Sequence, residues 1–243
     1  AFIVQAAGRD FNINRLERYL TICHSSRVNP VIILTKTDLI TPEVKAEITA
    51  QILQRIKNIP IIAISNETRD GYDTLRLIIE KGKTYCMLGS SGVGKSTLLN
   101  NLSGKHLMRT ASLSHSTNKG RHVTSHRELI VMDNGGILID NPGMREVGIT
   151  DTSDGLETTF DIIFTLAQRC KFKDCTHTTE TGCAVLEAIE KEEVDLGLLE
   201  NFRKMQREKS FFETSVSERK KKEKILGKIL KDYQKKNVKG KNQ

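Results

Sequence analysis

The segment from Tyr85 to Asn100 constrains the fold more than any other part of the sequence. It reads as a short apolar run, then Gly89-Ser-Ser-Gly-Val-Gly-Lys-Ser96, then a stretch with helical apolar spacing. A strand, a glycine-rich turn and a helix form the context that the G-x-x-x-x-G-K-[ST] phosphate loop requires. The backbone N–H groups of such a turn surround a phosphate, and the positive end of the helix dipole points at it. The sequence therefore predicts a nucleotide site, against the alternative of a Gly/Ser-rich turn that matches by chance.

The predicted phosphate-binding residues form one continuous run. They are Gly89, Ser90, Ser91, Gly92, Val93, Gly94, Lys95, Ser96 and Thr97. In loops of this kind the lysine reaches the β- and γ-phosphates, and the Ser or Thr hydroxyl binds Mg²⁺. We therefore expect Lys95 to serve in catalysis as well as in binding, and Ser96 to be a Mg²⁺ ligand.

The composition favours a soluble, cytoplasmic protein with one good core and a smaller second unit. The chain has 243 residues, of which 37% are hydrophobic, and no apolar run approaches the ~18 residues of a membrane helix. The first ten residues lack the basic start and long apolar region of a secretory signal. The first residue is Ala1 rather than Met, so the sequence leaves open whether its N-terminus is complete.

Five cysteines, an odd number, fit metal binding in a reducing compartment better than a disulfide framework. The set Cys170-x4-Cys175-x-His177-x5-Cys183 suits one closed, tetrahedral and therefore structural Zn²⁺ site. The alternative is three reduced cysteines beside a chance histidine. Cys23 and Cys86 occupy apolar positions and are expected in the core.

Positive charge is concentrated at the C-terminal end. Residues 203–243 carry 15 Lys or Arg and 5 Asp or Glu, whereas the whole chain has a net charge of +8. A basic end of this kind indicates a polyanionic partner. Within it, Ile225 to Tyr233 form an apolar helical stripe with lysines opposite, so a solvated face on a packing helix is the alternative to RNA contact.

Apolar runs and helical periods alternate along the first half of the chain. Strands are predicted at 2–7, 31–34, 59–64 and 85–88. Helices are predicted at 13–23 and 74–80, and between them a second helix is predicted to begin at Pro42 with Thr41 as its cap. Val44, Ile48, Ile52, Leu53 and Ile56 are expected to form the buried stripe of the second helix. Such alternation predicts a parallel α/β sheet with ligands at the carboxyl ends of its strands. Farther on, strands 128–133 and 136–140 form a hairpin across Asn134-Gly135, and residues 156–168 form a helix.

Three further motifs end predicted strands. They are Thr35-Lys-Thr-Asp38, Ser65-Asn66 and Asp140-Asn-Pro-Gly143, and they match the guanine-reading and D-x-x-G motifs of small GTPases. In Ras-like chains the phosphate loop precedes the [NT]-K-x-D motif, but here it follows it. The order is therefore circularly permuted.

This order resembles that of the RsgA family, also called YjeQ, of small-ribosomal-subunit biogenesis GTPases. The loop Gly120 to Ser125 is similar to the family's switch sequence, and the Cys/His set to its zinc motif. The resemblance implies a circularly permuted Ras-like P-loop GTPase sheet at 1–150 and a small, mostly helical zinc domain with a basic tail at 151–243. It also implies GTP hydrolysis stimulated by the small ribosomal subunit, contact with rRNA, cofactors GTP or GDP, Mg²⁺ and Zn²⁺, no membrane association and a monomer.

Specific roles follow for the guanine-reading residues Thr35, Lys36, Asp38, Ser65 and Asn66. The Asp38 carboxylate accepts hydrogen bonds from N1–H and the N2 amine of guanine, which adenine does not present. Lys36 lays its methylene groups against the purine face. By resemblance, Ser65 lies near the guanine O6. The alternative for residues 35–38 is an Asp-capped turn before a helix.

The resemblance also assigns the hydrolytic residues. Asp140 holds Mg²⁺ through water, Gly143 senses the γ-phosphate, and Thr124, with Ser125 as the alternative, supplies the second switch hydroxyl to Mg²⁺. Met144 follows D-x-x-G, where Ras-like proteins have Gln, and a thioether cannot orient an attacking water. His122 is the family-consistent candidate for that role, against the alternative of a solvated loop histidine.

The sequence departs from the family pattern in three ways. No residues of this sequence supply the family's N-terminal OB-fold domain, so either that domain has been cut off or the protein functions without it. Thr35 and Ser65-Asn66 replace the commoner Asn and Ser-Ala, and Val123 replaces a Thr of the switch loop. An RNA-binding regulator that uses GTP and GDP as an affinity switch, with little catalysis, is the alternative function. An ATPase is disfavoured by Asp38.

Overall fold

The computed structural model describes residues 1–104, 128–140 and 153–213, together with the single positions 218, 221 and 224. Six strands form one sheet. They are β1 (Phe2–Ala6), β2 (Val31–Thr35), β3 (Ile61–Ala63), β4 (Thr84–Leu88), β5 (Glu128–Val131) and β6 (Ile137–Asp140). Their order is β3-β2-β1-β4-β6-β5, and every neighbouring pair is parallel except β5 with β6. The predicted parallel sheet with an antiparallel edge hairpin is confirmed.

Helices follow most strands. They are α1 (Ile13–Ser25), α2 (Pro42–Arg55), α3 (Tyr72–Ile78), α4 (Lys95–Ser103), α5 (Ser153–Thr159), α6 (Asp161–Ala167), α7 (Ala184–Glu190) and α8, which covers residues 196–213. In the described part of the chain, no helix has the length and apolar character that crossing a bilayer requires.

Side-chain caps mark where the first two helices begin. The Asn12 side chain accepts a hydrogen bond from the Arg15 N–H at 3.0 Å, and the Thr41 hydroxyl accepts one from the Val44 N–H at 3.5 Å. These bonds satisfy N–H groups that have no partner within the helix. The predicted start of α2 at Pro42 is therefore confirmed.

The predicted buried stripe of α2 is only partly right. Ile48, Ile52 and Ile56 are buried, but Val44 is 37% exposed and Leu53 is 50% exposed. Leu53 is turned about 100° from Ile52 around the helix axis, which takes it off the face that contacts the sheet.

Apolar side chains cover both faces of the sheet. Phe2 and Val4 of β1 belong to one cluster with Leu98 of α4, whereas Ile3 belongs to the opposite cluster with Leu16 of α1. Successive residues of a strand point to opposite faces, and a central parallel strand is covered on both. As predicted for the core, Cys23 is buried, and Cys86 packs half-buried against the second cluster.

A third cluster lies wholly within residues 156–205. The single helix predicted at 156–168 is wrong, because α5 ends at Thr159 and α6 begins at Asp161. Between them Phe160 leaves helical geometry at φ −114° and ψ 34° and is fully buried, with its ring centroid 5.4 Å from that of Phe202. The break turns the chain so that both short helices contact this cluster.

Helix α1 forms the contact between the sheet and the C-terminal helices. The approach to α5 is close, since a Cβ on Gly155 would lie 2.2 Å from the carbonyl oxygen of Thr21. Only glycine allows this separation. The Thr159 hydroxyl lies 3.0 Å from Nδ1 of His24, and the Arg18 guanidinium donates to Glu208 of α8 at 2.7 Å.

A buried pair of carboxylate and guanidinium groups lies at the same interface. Arg55 of α2 donates through Nε and Nη2 to the two carboxylate oxygens of Glu17, each at 2.8 Å, and also to the Gly197 carbonyl at 3.1 Å. The Asn201 amide of α8 donates to the same carboxylate. Glu17 is fully buried, so its charge depends on these partners.

We expect Glu17 to make the stability of the protein depend on pH. Burial raises its pKa from 4.5 to about 7, although Arg55 and Asn201 favour the charged form. The folded protein therefore holds this proton more tightly than the unfolded chain, so the contribution of this group is full below pH 4.5 and is lost as pH rises through about 7. Relative to the Glu17→Gln variant, the free energy of unfolding of the wild type should fall by roughly 3 kcal/mol across this range. Denaturant titrations of both proteins at a series of pH values measure it, and parallel pH profiles would contradict the assignment.

Candidate nucleotide-binding site

Four chain segments meet at one edge of the sheet. Residues 36–38 follow β2, residues 65–66 follow β3, the phosphate loop follows β4, and Asp140 ends β6. Because these strands are parallel through β1, their carboxyl ends lie at the same edge. Ligands of open parallel sheets bind at such edges.

The Thr35 hydroxyl links residues 35–38, the predicted guanine-reading segment, to the phosphate loop. It donates to the Val93 carbonyl at 2.6 Å and is fully buried. The predicted nucleotide-binding residue Thr35 thus has its hydroxyl turned into the protein.

Asn66 makes the second link. Its amide donates to the Gly94 carbonyl at 3.1 Å, and its side-chain oxygen accepts from the Tyr72 hydroxyl at 2.7 Å. The Asn101 amide donates to the Asn66 carbonyl at 3.0 Å and to the Tyr72 hydroxyl at 2.8 Å. Sequence reasoning missed Tyr72 and Asn101, which carry no motif and are recognisable only once α3 and α4 are adjacent.

Gly94 allows this close approach. A Cβ there would lie 2.5 Å from the Asn66 amide nitrogen, and its φ of +95° is one that residues with side chains rarely adopt. Helix α4 begins at the next residue, so its positive dipole end and the N–H groups of its first turn, which have no acceptor within the helix, face the phosphate loop. The local geometry has the features of an anion-binding turn.

The Lys95 ammonium lies within the phosphate loop. It donates to the carbonyls of Gly89 and Ser90, each at 2.7 Å, and Lys95 is buried. Val93 is also buried, and the Ser96 and Thr97 side chains next to it are half-buried. Gly89 is buried, whereas Ser91 and Gly92 lie at the exposed tip of the loop.

The remaining residues that were predicted to read guanine differ in exposure. Asp38 lies exposed in a 3-10 turn (Thr37–Leu39), and no hydrogen bond or ion pair joins its carboxylate to any described residue. Lys36 precedes that turn at φ +60° and is half-buried. The Ser65 hydroxyl accepts from the N–H groups of Glu67 and Thr68 at 3.2 and 3.1 Å, so it stabilises its own turn.

The switch residues cannot be placed in the same way. His122, Thr124 and Gly143 lie outside the described residues, and of Asp140 only the backbone, paired with Met87 and Glu128, is described. Their predicted roles stay predictions.

A cleft of ≈ 380 Å³ borders the phosphate loop on the side of β1 and α1. Ser90, Ser91 and Val93 line one wall. The other wall includes Arg9 and Asp10 from the β1–α1 loop and Arg15 from the first turn of α1. Sequence reasoning missed this wall, because these residues belong to no motif.

The predicted Cys/His cluster comes together. The ligand atoms of Cys170, Cys175, His177 and Cys183 all lie within 4.8 Å of one another. Nδ1 of His177 lies 3.3 Å from Sγ of Cys183 and 3.7 Å from Sγ of Cys170, and those two sulfurs are 3.9 Å apart. Burial lowers the pKa of His177, which favours the neutral imidazole that metals bind. This cluster can hold a metal ion.

Glu180 organises the loop that presents His177. Its carboxylate accepts from the N–H groups of Thr176 and Thr178, each at 2.7 Å, and from that of Thr179 at 3.0 Å. These bonds hold the pKa of this carboxyl well below its usual range. His177 has a φ of +57°, and the hydrogen bonds that Glu180 accepts from residues on both sides of His177 stabilise this uncommon conformation.

The fold and the loops at its edge define a circularly permuted P-loop GTPase fold. A model of the RsgA GTPase family matches residues 1–150, and a model described as 50S ribosome-binding GTPase matches residues 84–238. The chain belongs to the RsgA GTPase family.

Named relatives and solved structures agree with this assignment. Small ribosomal subunit biogenesis GTPase RsgA 2 of Listeria monocytogenes is 43% identical over 87% of this chain and 60% of the relative. The RsgA protein of Methanosarcina acetivorans is 42% identical over 86% of this chain and 56% of the relative. The crystal structure of YjeQ from Thermotoga maritima superimposes with a TM-score of 0.62 at 26% identity, covering 84% of this chain and 68% of that one. YloQ, described as a circularly permuted GTPase, gives a TM-score of 0.58 at 28% identity, covering 90% and 68%. The chain thus spans less than two thirds of the length of the Listeria and Methanosarcina relatives.

We expect Cys175→Ser to abolish stable metal binding, because it removes one of four ligands. Elemental analysis of purified protein should find about one metal ion per chain in the wild type and well below half of that in the variant. Cys86→Ser is the matched control, since Cys86 lies in the sheet. Equal metal content in all three proteins would contradict the site.

Proposed function

We propose that this chain binds GTP with Mg²⁺, hydrolyses it, and acts in the late assembly or maturation of the small ribosomal subunit. One observation carries the proposal, namely the two hydrogen bonds that join the Thr35–Asp38 and Ser65–Asn66 segments to the phosphate loop. They support a single nucleotide spanning these segments, with its base at one end and its phosphates at the other. Membership of the RsgA GTPase family and the names of the relatives support the substrate and the partner.

Asp38 is proposed to select guanine. Its carboxylate is exposed and acts only as an acceptor when ionised, which suits the N1–H and N2 donors of guanine. Each charge-assisted hydrogen bond contributes about 1.5 to 3 kcal/mol, and adenine would leave both unmade. Lys36 covers the purine face, while Ser65 and Asn66 supply backbone groups near O6.

The phosphate loop is proposed to hold the triphosphate. Its N–H groups and those of α4 face the β-phosphate, and the Lys95 ammonium exchanges its loop carbonyls for β- and γ-phosphate oxygens. The oxygen donors of Ser96, Thr124 and Asp140 fit Mg²⁺, which prefers hard ligands. Mg²⁺ supplies positive charge against the charge that develops on the phosphates.

His122 is proposed to orient the attacking water, because Met144 cannot. The N–H of Gly143 binds the γ-phosphate. Loss of that contact after hydrolysis changes the conformation of the segment that leads to α5. Intrinsic turnover in such sites is roughly 10⁻⁴ to 10⁻² per second, so a useful cycle needs stimulation by a partner.

The C-terminal part is proposed as a separate domain, residues 151–243, beside a GTPase domain at 1–150. The third apolar cluster supports this boundary, since it draws only on residues 156–205. The two sulfurs of Cys170 and Cys183 are 3.9 Å apart, and Nδ1 of His177 lies 3.7 and 3.3 Å from them. These separations are close to the edges of a tetrahedral zinc site, about 3.8 Å between sulfurs and about 3.6 Å between sulfur and nitrogen. The basic residues of 203–243 supply contacts to rRNA, in a cytoplasmic protein that acts as a monomer.

A second candidate is an affinity switch, in which GTP and GDP change RNA binding with little catalysis. Met144 in place of a water-orienting Gln favours it. The first candidate requires repeated turnover of GTP, whereas the affinity switch requires little.

Hydrolysis of GTP with and without purified small ribosomal subunits tests the proposal. We expect at least a roughly tenfold rise in turnover with small subunits, whereas large subunits serve as the control, because proteins of this class hydrolyse slowly without a stabilising partner. Tight GTP binding without stimulated turnover would favour the affinity switch. Failure to bind guanine nucleotides would contradict both.

We expect Asp38→Asn to weaken GTP binding by at least about 100-fold, because the amide opposes the N2 donor of guanine with a donor of its own. The same amide pairs with the C2 carbonyl of xanthine, so affinity for xanthosine triphosphate should rise. Asp73→Asn, on the exposed face of α3, is the matched control. Competition titrations against a fluorescent nucleotide measure both affinities, and unchanged selectivity would remove Asp38 from the base site.

A further inference from the structure

The cleft between α1 and the phosphate loop brings two arginines to the nucleotide site. Arg9 and Arg15 line it together with Ser90 and Ser91 of the phosphate loop, and Asp10 is the acidic residue among the lining residues. Neither guanidinium has a hydrogen bond or ion pair with any described residue. The wall thus offers two unpaired cations against one carboxylate, next to a loop built for phosphate.

The position of Lys95 shows which part of the phosphate loop this wall faces. The ammonium that serves the β- and γ-phosphates lies 2.7 Å from the Ser90 carbonyl. Ser90 therefore lies beside the terminal phosphates rather than beside the base, and Ser90 also lines the cleft. An anion reached from the cleft would therefore be the γ-phosphate end of a bound nucleotide.

Arg15 is the better placed of the two arginines. It is half-buried, whereas Arg9 is exposed, and its backbone is held in the first turn of α1 by the Asn12 cap. A cation in the first turn opposes the helix dipole, and no acidic residue of that turn offsets it. A positive charge kept in an unfavourable position, half-buried and unpaired, fits an anion supplied from outside the protein.

We propose that Arg15, supported by Arg9, contacts the γ-phosphate of bound GTP across this cleft and stabilises the negative charge that develops on it during hydrolysis. This inference rests on the proposed function. It gives the chain a catalytic cation of its own, which compensates in part for the methionine that follows D-x-x-G. Arginine suits the role because its planar guanidinium binds two phosphate oxygens at once and stays charged at every physiological pH.

The test compares wild type, Arg15→Ala, Arg15→Lys and Arg27→Ala without ribosomal subunits. Arg27→Ala removes the same charge from an exposed position just after the end of α1. Affinities are measured for GDP and for a non-hydrolysable GTP analogue, and hydrolysis is followed in single turnover. We expect Arg15→Ala to slow hydrolysis at least about tenfold and to weaken the triphosphate analogue while leaving GDP affinity unchanged, because only the γ-phosphate contact is lost. Arg15→Lys should recover part of both effects, and Arg27→Ala should behave as wild type.

Two outcomes would overturn the inference while leaving the proposed function intact. One is an Arg15→Ala variant with wild-type hydrolysis and analogue affinity. The other is an equal loss of GDP and analogue affinity, which indicates a structural role. A wild type that binds no guanine nucleotide overturns the proposed function and this inference together. Thermal unfolding of each variant shows that folding is retained, and alanine is favoured over arginine in a helical turn.

Discussion

Two hydrogen bonds between loops, from the Thr35 hydroxyl to the Val93 carbonyl and from the Asn66 amide to the Gly94 carbonyl, hold the candidate site together. They join segments 58 and 28 residues apart in the sequence. In a permuted chain the segments predicted to bind the base and the phosphates are not connected in the usual order. Their proximity therefore depends on parallel pairing of β2, β1 and β4 and on these buried contacts, each of which satisfies a carbonyl of the phosphate loop.

Local patterns were sufficient to predict most of the fold. The apolar runs of the strands, the Thr41–Pro42 helix start and the Asn134-Gly135 hairpin each record a conformational preference of a few adjacent residues. The break at Phe160 was not predictable in this way, because apolar residues with helical spacing continue across it. What ends α5 there is burial of the Phe160 ring against Phe202, a contact between residues distant in the sequence.

The residues of the candidate site also fall into two groups, those predictable from local sequence and those that require the tertiary structure. Spacing alone predicted the phosphate loop and the set from Cys170 to Cys183, since the ligands of each lie within one short segment. The support from Tyr72 and Asn101, and the cleft wall formed by Arg15, require α1, α3 and α4 to be in place first. Residues that act through tertiary proximity belong to no sequence motif. Motifs therefore predict the residues that contact the ligand, but they miss the side chains that hold those residues in position.

Helix α1 touches both functional regions of the molecule along one continuous backbone. Its first turn borders the cleft beside the phosphate loop, and its middle, through Glu17 and Arg18, is fixed to Asn201 and Glu208 of α8. A helix of this length is a stiff rod about 20 Å long, with no hinge between its ends. A tilt of that rod at the nucleotide end would displace α8, and with it the start of the basic tail. A displacement of the tail would in turn change the width of the cleft beside the phosphate loop.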